Sequence, residues 1–106
     1  MVDPIDYQDY LIESLQDPDE AMGYLNAALA DGDIDVFLVA LRDVAKARGG
    51  ISQLAEATNK SRNSLYKTLS KDGNPYLEST QRILEAMGFS LSVEVIDQAG
   101  NTTLSD

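Results

Sequence analysis

The sequence predicts a mainly α fold, five helices closed by one C-terminal β-strand, and three observations carry that prediction. Apolar residues recur at spacings of three and four through most of the chain. Gly, Pro, Asp and Ser stand at the offsets where helices start and stop, and after Gly88 the apolar period drops to two. At 106 residues and 43% hydrophobic, the chain is long enough for one cooperative core and too short for two comfortable domains. The expected organisation is an acidic N-terminal segment over residues 1–16, a helical domain with its strand over 17–97, and a flexible tail over 98–106.

Residues 1–16 are acidic, with Tyr7, Tyr10, Leu11, Ile12 and Leu15 interspersed, and read as a short, weakly specified amphipathic stretch. Asp17-Pro18-Asp19-Glu20 then marks a helix start. Asp17 suits the N-cap, Pro18 suits the first turn because its missing N–H needs no partner there, and Glu20 completes a capping-box spacing. This helix should run to Ala30 with Met22, Leu25, Ala28 and Leu29 inward, and Gly32 can take the left-handed conformation that closes it. Asp33 can cap the second helix, where Ile34, Phe37, Leu38, Leu41, Val44 and Ala45 face in. Arg42, Lys46 and Arg48 gather toward its C-terminal end, where cations suit the helix dipole, and Gly49-Gly50 ends it.

Ser52 reads as the cap of a short third helix through Thr58, and Ser61 as the cap of a fourth through Ser70, with Asn59 and Lys60 between them. Asp72-Gly73-Asn74-Pro75 is a turn, and a fifth helix with Leu77, Ile83, Leu84 and Met87 inward should end at Gly88. Beyond it Phe89, Leu91, Val93 and Val95 alternate with Ser90, Ser92, Glu94 and Ile96, the pattern of a strand. The sequence offers this strand no second one, so its expected neighbour is the same strand of a second copy or another protein's sheet.

Composition excludes most chemistry. The chain has no cysteine and no histidine, which removes disulfides, thiolate metal sites, zinc-binding imidazoles and the usual neutral-pH base. No nucleophile-base pair and no phosphate-cradling glycine loop is present, so no enzyme, cofactor or metal is expected. Asp31-Gly32-Asp33-Ile34-Asp35 superficially resembles a calcium loop, but an EF-hand starting there would need Gly at Val36 and Glu at Arg42. The start, Met1-Val2-Asp3-Pro4, lacks a basic region followed by an apolar one, and the longest apolar run, Val36 to Leu41, is far below a membrane span. The expectation is a soluble, cytoplasmic protein.

Charge is distributed unevenly. Seven of the eight basic residues, Arg42, Lys46, Arg48, Lys60, Arg62, Lys67 and Lys71, form a block that nets +4 with Asp43, Glu56 and Asp72. The forty-one residues before it carry ten carboxylates and no lysine or arginine, the remainder from Asn74 onward nets −4, and the chain totals −10. Two surfaces with two partners are implied, one for phosphate and one for protein.

The basic block also contains the spacing of a helix-turn-helix. Ala55 is small where two helices would cross, Asn59 tolerates the left-handed turn, and Leu65 can anchor the second helix. If that helix enters a major groove, Ser61, Arg62, Asn63, Ser64, Tyr66 and Lys67 are its exposed positions. Arg62 and Asn63 suit bidentate contacts to guanine and adenine. Lys60, whose stem can lie over the core, joins Lys67 and Lys71 as a phosphate contact, and Ser52-Gln53 can aim backbone N–H groups at phosphate.

Leu41-Arg-Asp-Val-Ala-Lys-Ala-Arg-Gly-Gly-Ile-Ser-Gln-Leu-Ala-Glu-Ala-Thr58, Ser61-Arg-Asn-Ser-Leu-Tyr-Lys-Thr-Leu-Ser70 and Gly73-Asn-Pro75 together resemble the probable addiction-module antidote proteins with a Cro/C1-type helix-turn-helix. Tyr24-Leu-Asn-Ala-Ala-Leu29 and Ala86-Met-Gly-Phe-Ser-Leu-Ser-Val93 fit the same resemblance. Asn59-Lys60 departs from it, since Gly followed by an apolar residue is common there. The resemblance implies a five-helix Cro/C1-like domain, a RelE-like mRNA-cleaving toxin as partner, and repression of the shared promoter by binding operator DNA. It also implies toxin contact by the acidic N-terminal segment, whose Tyr10, Leu11, Ile12 and Leu15 are apolar anchors framed by carboxylates that suit a basic partner. A homodimer follows from the expected strand and from half-site geometry. Two alternatives stand beside this reading: a free-standing phage-type repressor without a toxin, and an interaction adaptor that does not bind DNA.

Overall fold

The structure, a computed structural model, describes residues 4–70 and 73–96. Six helices follow in chain order: α1 (Pro4–Ser14), α2 (Pro18–Asp31), α3 (Ile34–Ala47), α4 (Gly50–Thr58), α5 (Arg62–Thr68) and α6 (Leu77–Ala86). The expected five become six because the acidic N-terminal stretch is itself helical. An eleven-residue helix is marginal alone in water, so its order has to come from packing. Leu11 and Leu15, four residues apart, supply that packing: Leu15 is only 2% exposed and Leu11 lies half-buried against the same core. The segment is thereby continuous with the rest of the fold, and α1 rests on α3.

α3 sits at the centre, touching α1, α2 and α4, while α4 in turn carries α5 and α6. Leu15, Leu38, Leu41, Val44, Leu65, Leu69 and Ile83 are the largest fully buried side chains, drawn from α3, α5 and α6 and from the residues that follow α1 and α5. The local signals hold at the starts of α2 and α3. Asp17 Oδ1 accepts a hydrogen bond from Asp19 N–H at 2.9 Å, and Asp33 Oδ1 accepts one from Asp35 N–H at 2.9 Å. At the end of α6, Gly88 takes φ 93°; its N–H donates to Glu85 O at 3.0 Å, and Phe89 N–H donates to Leu84 O at 2.9 Å. Those two bonds are the Schellman arrangement.

The inward face of α2 keeps Leu25 and Ala28 as expected but takes Ala21 in place of Met22 and Leu29. Ala21, Leu25 and Ala28 are buried, whereas Met22 and Leu29 are half-exposed. The buried stripe, 21, 25 and 28, keeps spacings of four and three, and through it α2 packs on α3. Ile34 and Leu77, expected inside, are exposed because each is the first residue of its helix, beyond the neighbour that covers the following turns.

The expected C-terminal strand does not form among the described residues; pairing is limited to an isolated bridge at Ile96. Phe89 and Leu91 pack partly against the core, but Val93 is 98% exposed and Val95 and Ile96 are also exposed. Period-two alternation specifies which side chains share a face, whereas a strand also needs a second backbone in register. The tail expected to be flexible over 98–106 lies outside the described residues.

Candidate nucleic-acid and partner interfaces

α4 starts two residues before the expected cap. Gly49 and Gly50 both adopt positive φ, 107° and 86°, so the chain reverses after α3 and enters α4 without a side-chain cap. The φ of 107° is what favours glycine at position 49, since the end of the flexible Gln53 side chain beside it could swing away from a Cβ. Ser52 is thus not the cap; it lies exposed in the first turn of α4, where its N–H is one of the donors that has no intrahelical acceptor.

Asn59 supplies the turn between α4 and α5. It holds φ 58° and ψ 40°, the only non-glycine positive φ among the described residues. Its N–H donates to Glu56 O at 3.3 Å, and Lys60 N–H donates to Ala55 O at 2.9 Å, so α4 ends in a second Schellman arrangement. Lys60 occupies the position that this motif usually fills with an apolar side chain, and it is half-buried. Ser61 Oγ then accepts Ser64 N–H at 3.0 Å and caps α5.

α5 is held from beneath by Leu65 and Leu69, both fully buried. Arg62, Asn63, Ser64 and Lys67 are exposed on its other side, with Ser61 at the cap and Tyr66 at 40% exposure. Ser52 and Gln53 are exposed on α4. The structure therefore brings the residues assigned to DNA contact onto the α4–α5 unit, except Lys71, which lies outside the described residues.

Not every cation of the basic block is available to a ligand. Arg48 Nε donates to Met87 O at 3.3 Å and its Nη1 to Gln16 O at 3.1 Å, with the guanidinium 5.3 Å from the centroid of the Phe89 ring. It ties the end of α3 to the α1–α2 connection and to the end of α6. Arg42 is half-buried, and its Nε is enclosed without a hydrogen-bond partner. Lys46, Arg62 and Lys67 are exposed. A count of charges along the chain cannot separate the cations that serve the fold from those that face solvent.

On the acidic side, the four residues expected to meet a protein partner separate by depth. Tyr10 is 72% exposed, Leu11 and Ile12 are half-buried, and Leu15 belongs to the core. The outward face of α1 presents Tyr7, Asp9, Tyr10 and Glu13. Sequence reasoning missed a second feature, a groove of about 500 Å³ between α2 and α3. Its walls are Tyr24, Ala27, Ala28, Val36, Val39 and Ala40, and Asp31, Asp33 and Asp35 lie at the end where α2 gives way to α3. Tyr24 Oη donates to Asp43 Oδ2 at 2.8 Å across this pair of helices. Burial pushes the Tyr24 phenol well above its ordinary range, and the Asp43 carboxylate reinforces the shift by accepting the proton's hydrogen bond and by its charge. The apolar residues at 24, 27 and 28 and at 36, 39 and 40 were the only signal of this groove in the sequence.

The carboxylates do not assemble into a metal site: among the described residues no three lie close enough to hold an ion. No described helix is long and apolar enough to cross a membrane.

Comparison with known proteins adds a family to this geometry. A family described as probable addiction module antidote protein matches residues 2–95. An uncharacterized protein of Haemophilus influenzae is 37% identical over 82 residues, which cover 77% of this chain and 84% of that relative. No solved structure matches the chain.

Proposed function

The chain belongs to the probable addiction module antidote proteins, and from that membership we propose an antitoxin that works by binding two partners through two surfaces. The toxin is a basic, RelE-like nuclease that cleaves messenger RNA, and it meets the acidic half of the molecule. The second partner is the operator of the module's own promoter, bound by α4–Asn59–α5 as a Cro/C1-type helix-turn-helix. The protein acts in the cytoplasm as a homodimer, since two-fold related recognition helices match operator half-sites. It neutralises and represses without catalysing a reaction.

One observation carries the DNA reading: Leu65 and Leu69 fix α5 from one side only, so Arg62, Asn63 and Lys67 project together from the other. Arg62 and Asn63 at the capped N-terminus of α5 suit base edges, while Ser61, Ser64, Lys60 and Lys67 suit phosphate. With about three phosphates neutralised per subunit, log K for the dimer should fall with log salt at a slope near about −5.

The test is fluorescence anisotropy of the full chain on the duplex immediately upstream of its own gene, beside a scrambled duplex. Preferential binding that disappears in Arg62→Ala/Asn63→Ala supports the reading. Absent binding on both duplexes would leave an adaptor without DNA binding, the reading favoured by the net charge of −10, and equal binding on both would leave only non-specific DNA contact.

A further inference from the structure

We propose that the α2–α3 groove seats an apolar segment of the toxin flanked by lysine or arginine. This rests on the antitoxin reading above and adds to it a second contact surface, besides the outward face of α1.

The groove is apolar where a partner would sit. Ala27, Ala28, Val36, Val39 and Ala40 are small or branched side chains that leave about 500 Å³ unfilled, room for several aliphatic side chains. Val36, 41% exposed, adds accessible apolar surface to the lip of the groove. The floor is fixed, because Tyr24 is tied to the buried Asp43 by a 2.8 Å hydrogen bond.

Charge selects the occupant. Asp31, Asp33 and Asp35 line one end and no lysine or arginine lines the groove. Asp33 gives one oxygen to the α3 cap, and neither Asp31 nor Asp35 makes an ion pair among the described residues. A segment with an apolar centre and a flanking cation therefore gains burial and charge complementarity together, whereas a second copy of this acidic region would bring carboxylates against carboxylates. A small neutral ligand would find few convergent polar groups, which is what fixes the orientation of such molecules in their sites.

The probe is the purified product of the gene adjacent to this chain's own, titrated by calorimetry against the full chain and two variants. Val36→Arg places bulk and like charge in the groove at an exposed position, and should weaken binding by about tenfold or more. Asp31→Asn/Asp35→Asn keeps the shape and the α3 cap; it should weaken binding several-fold and flatten its salt dependence. Thermal unfolding of each variant reports its fold, and the amide double variant carries the test if Val36→Arg does not fold.

If the wild-type chain does not bind the probe, the antitoxin reading falls and the groove proposal falls with it. Undiminished affinity in folded variants, with the wild-type chain binding, overturns the groove proposal alone. Unchanged toxin affinity with loss of dimer in sedimentation would assign the groove to a second copy, and overturns it as well.

Discussion

α1 and α5 are built alike and present opposite charge. Each is a short helix held by leucines four apart, Leu11 and Leu15 for α1, Leu65 and Leu69 for α5, with the other side left to solvent. The face of α1 carries Tyr7, Asp9, Tyr10 and Glu13; that of α5 carries Arg62, Asn63, Tyr66 and Lys67. Their supports differ. α5 has a side-chain cap at Ser61 and a left-handed turn before it, so its direction is set locally as well as by packing. α1 shows no basic residue in its last turn and its order depends on burial of its C-terminal leucines. A short helix can thus be a rigid display surface when leucines hold one side, and the residues opposite are then free to select a partner.

The largest effect expected is on those anchors. Leu15→Ala should cost about 2–5 kcal/mol in urea unfolding, the range for a buried leucine, and Leu65→Ala a similar amount. A cost below about 1 kcal/mol at Leu15 would break the parallel and return that residue to the surface.

Next come the displayed faces. Arg62→Ala should cost about 1–3 kcal/mol of operator affinity and relax specificity at one base position, with stability changed by less than about 0.5 kcal/mol. Lys67→Ala should weaken all duplexes alike. If both variants kept operator affinity, α5 would not be the reading helix. Tyr10→Ala should leave DNA affinity unchanged while weakening the adjacent gene's product, which sharpens the division between the two faces.

Tyr24 distinguishes the acidic half in a different way. Tyr24→Phe strands part of the buried Asp43 carboxylate and should cost about 1–3 kcal/mol near neutral pH. The folded chain holds the Tyr24 proton more tightly than the unfolded one, so this contribution is fully present below the ordinary tyrosine pKa of about 10. It is lost as pH rises above that value through the raised folded pKa. Urea midpoints of wild type and Tyr24→Phe should therefore converge above pH about 10, and a constant gap would contradict the hydrogen bond. The smallest change is at the cap: Ser61→Ala should cost about 1 kcal/mol, read by thermal unfolding.

The comparison also shows where local reasoning is enough. Asp17, Asp33 and Ser61 cap the helices they precede, and Gly32, Asn59 and Gly88 hold positive φ where turns are needed. Leu54, Leu65 and Leu84 are inside, and Arg62, Asn63 and Lys67 are outside, as their spacing requires. Each of these depends on neighbours within about one helical turn, and such neighbours are adjacent in the chain.

Other features had no such signal. Ser52 has a good capping side chain, but two left-handed glycines start the helix before it. α1 reads as weak because its leucines find their partners on α3, and the C-terminal alternation reads as a strand although the described residues give it no ladder. Arg48 looks like one more cation of the basic block, yet its acceptors are Gln16 and Met87, 32 and 39 residues away. The starts of α2, α3 and α5, the turns, the buried stripe of α5 and the division of charge are all legible in the chain, because they are set by backbone chemistry and side-chain period over a few residues. Tertiary structure alone decided the order of α1, the burial of Ala21 in place of Met22 and Leu29 on α2, the α2–α3 groove and the use of Arg48, because each depends on which distant surfaces exclude water from one another.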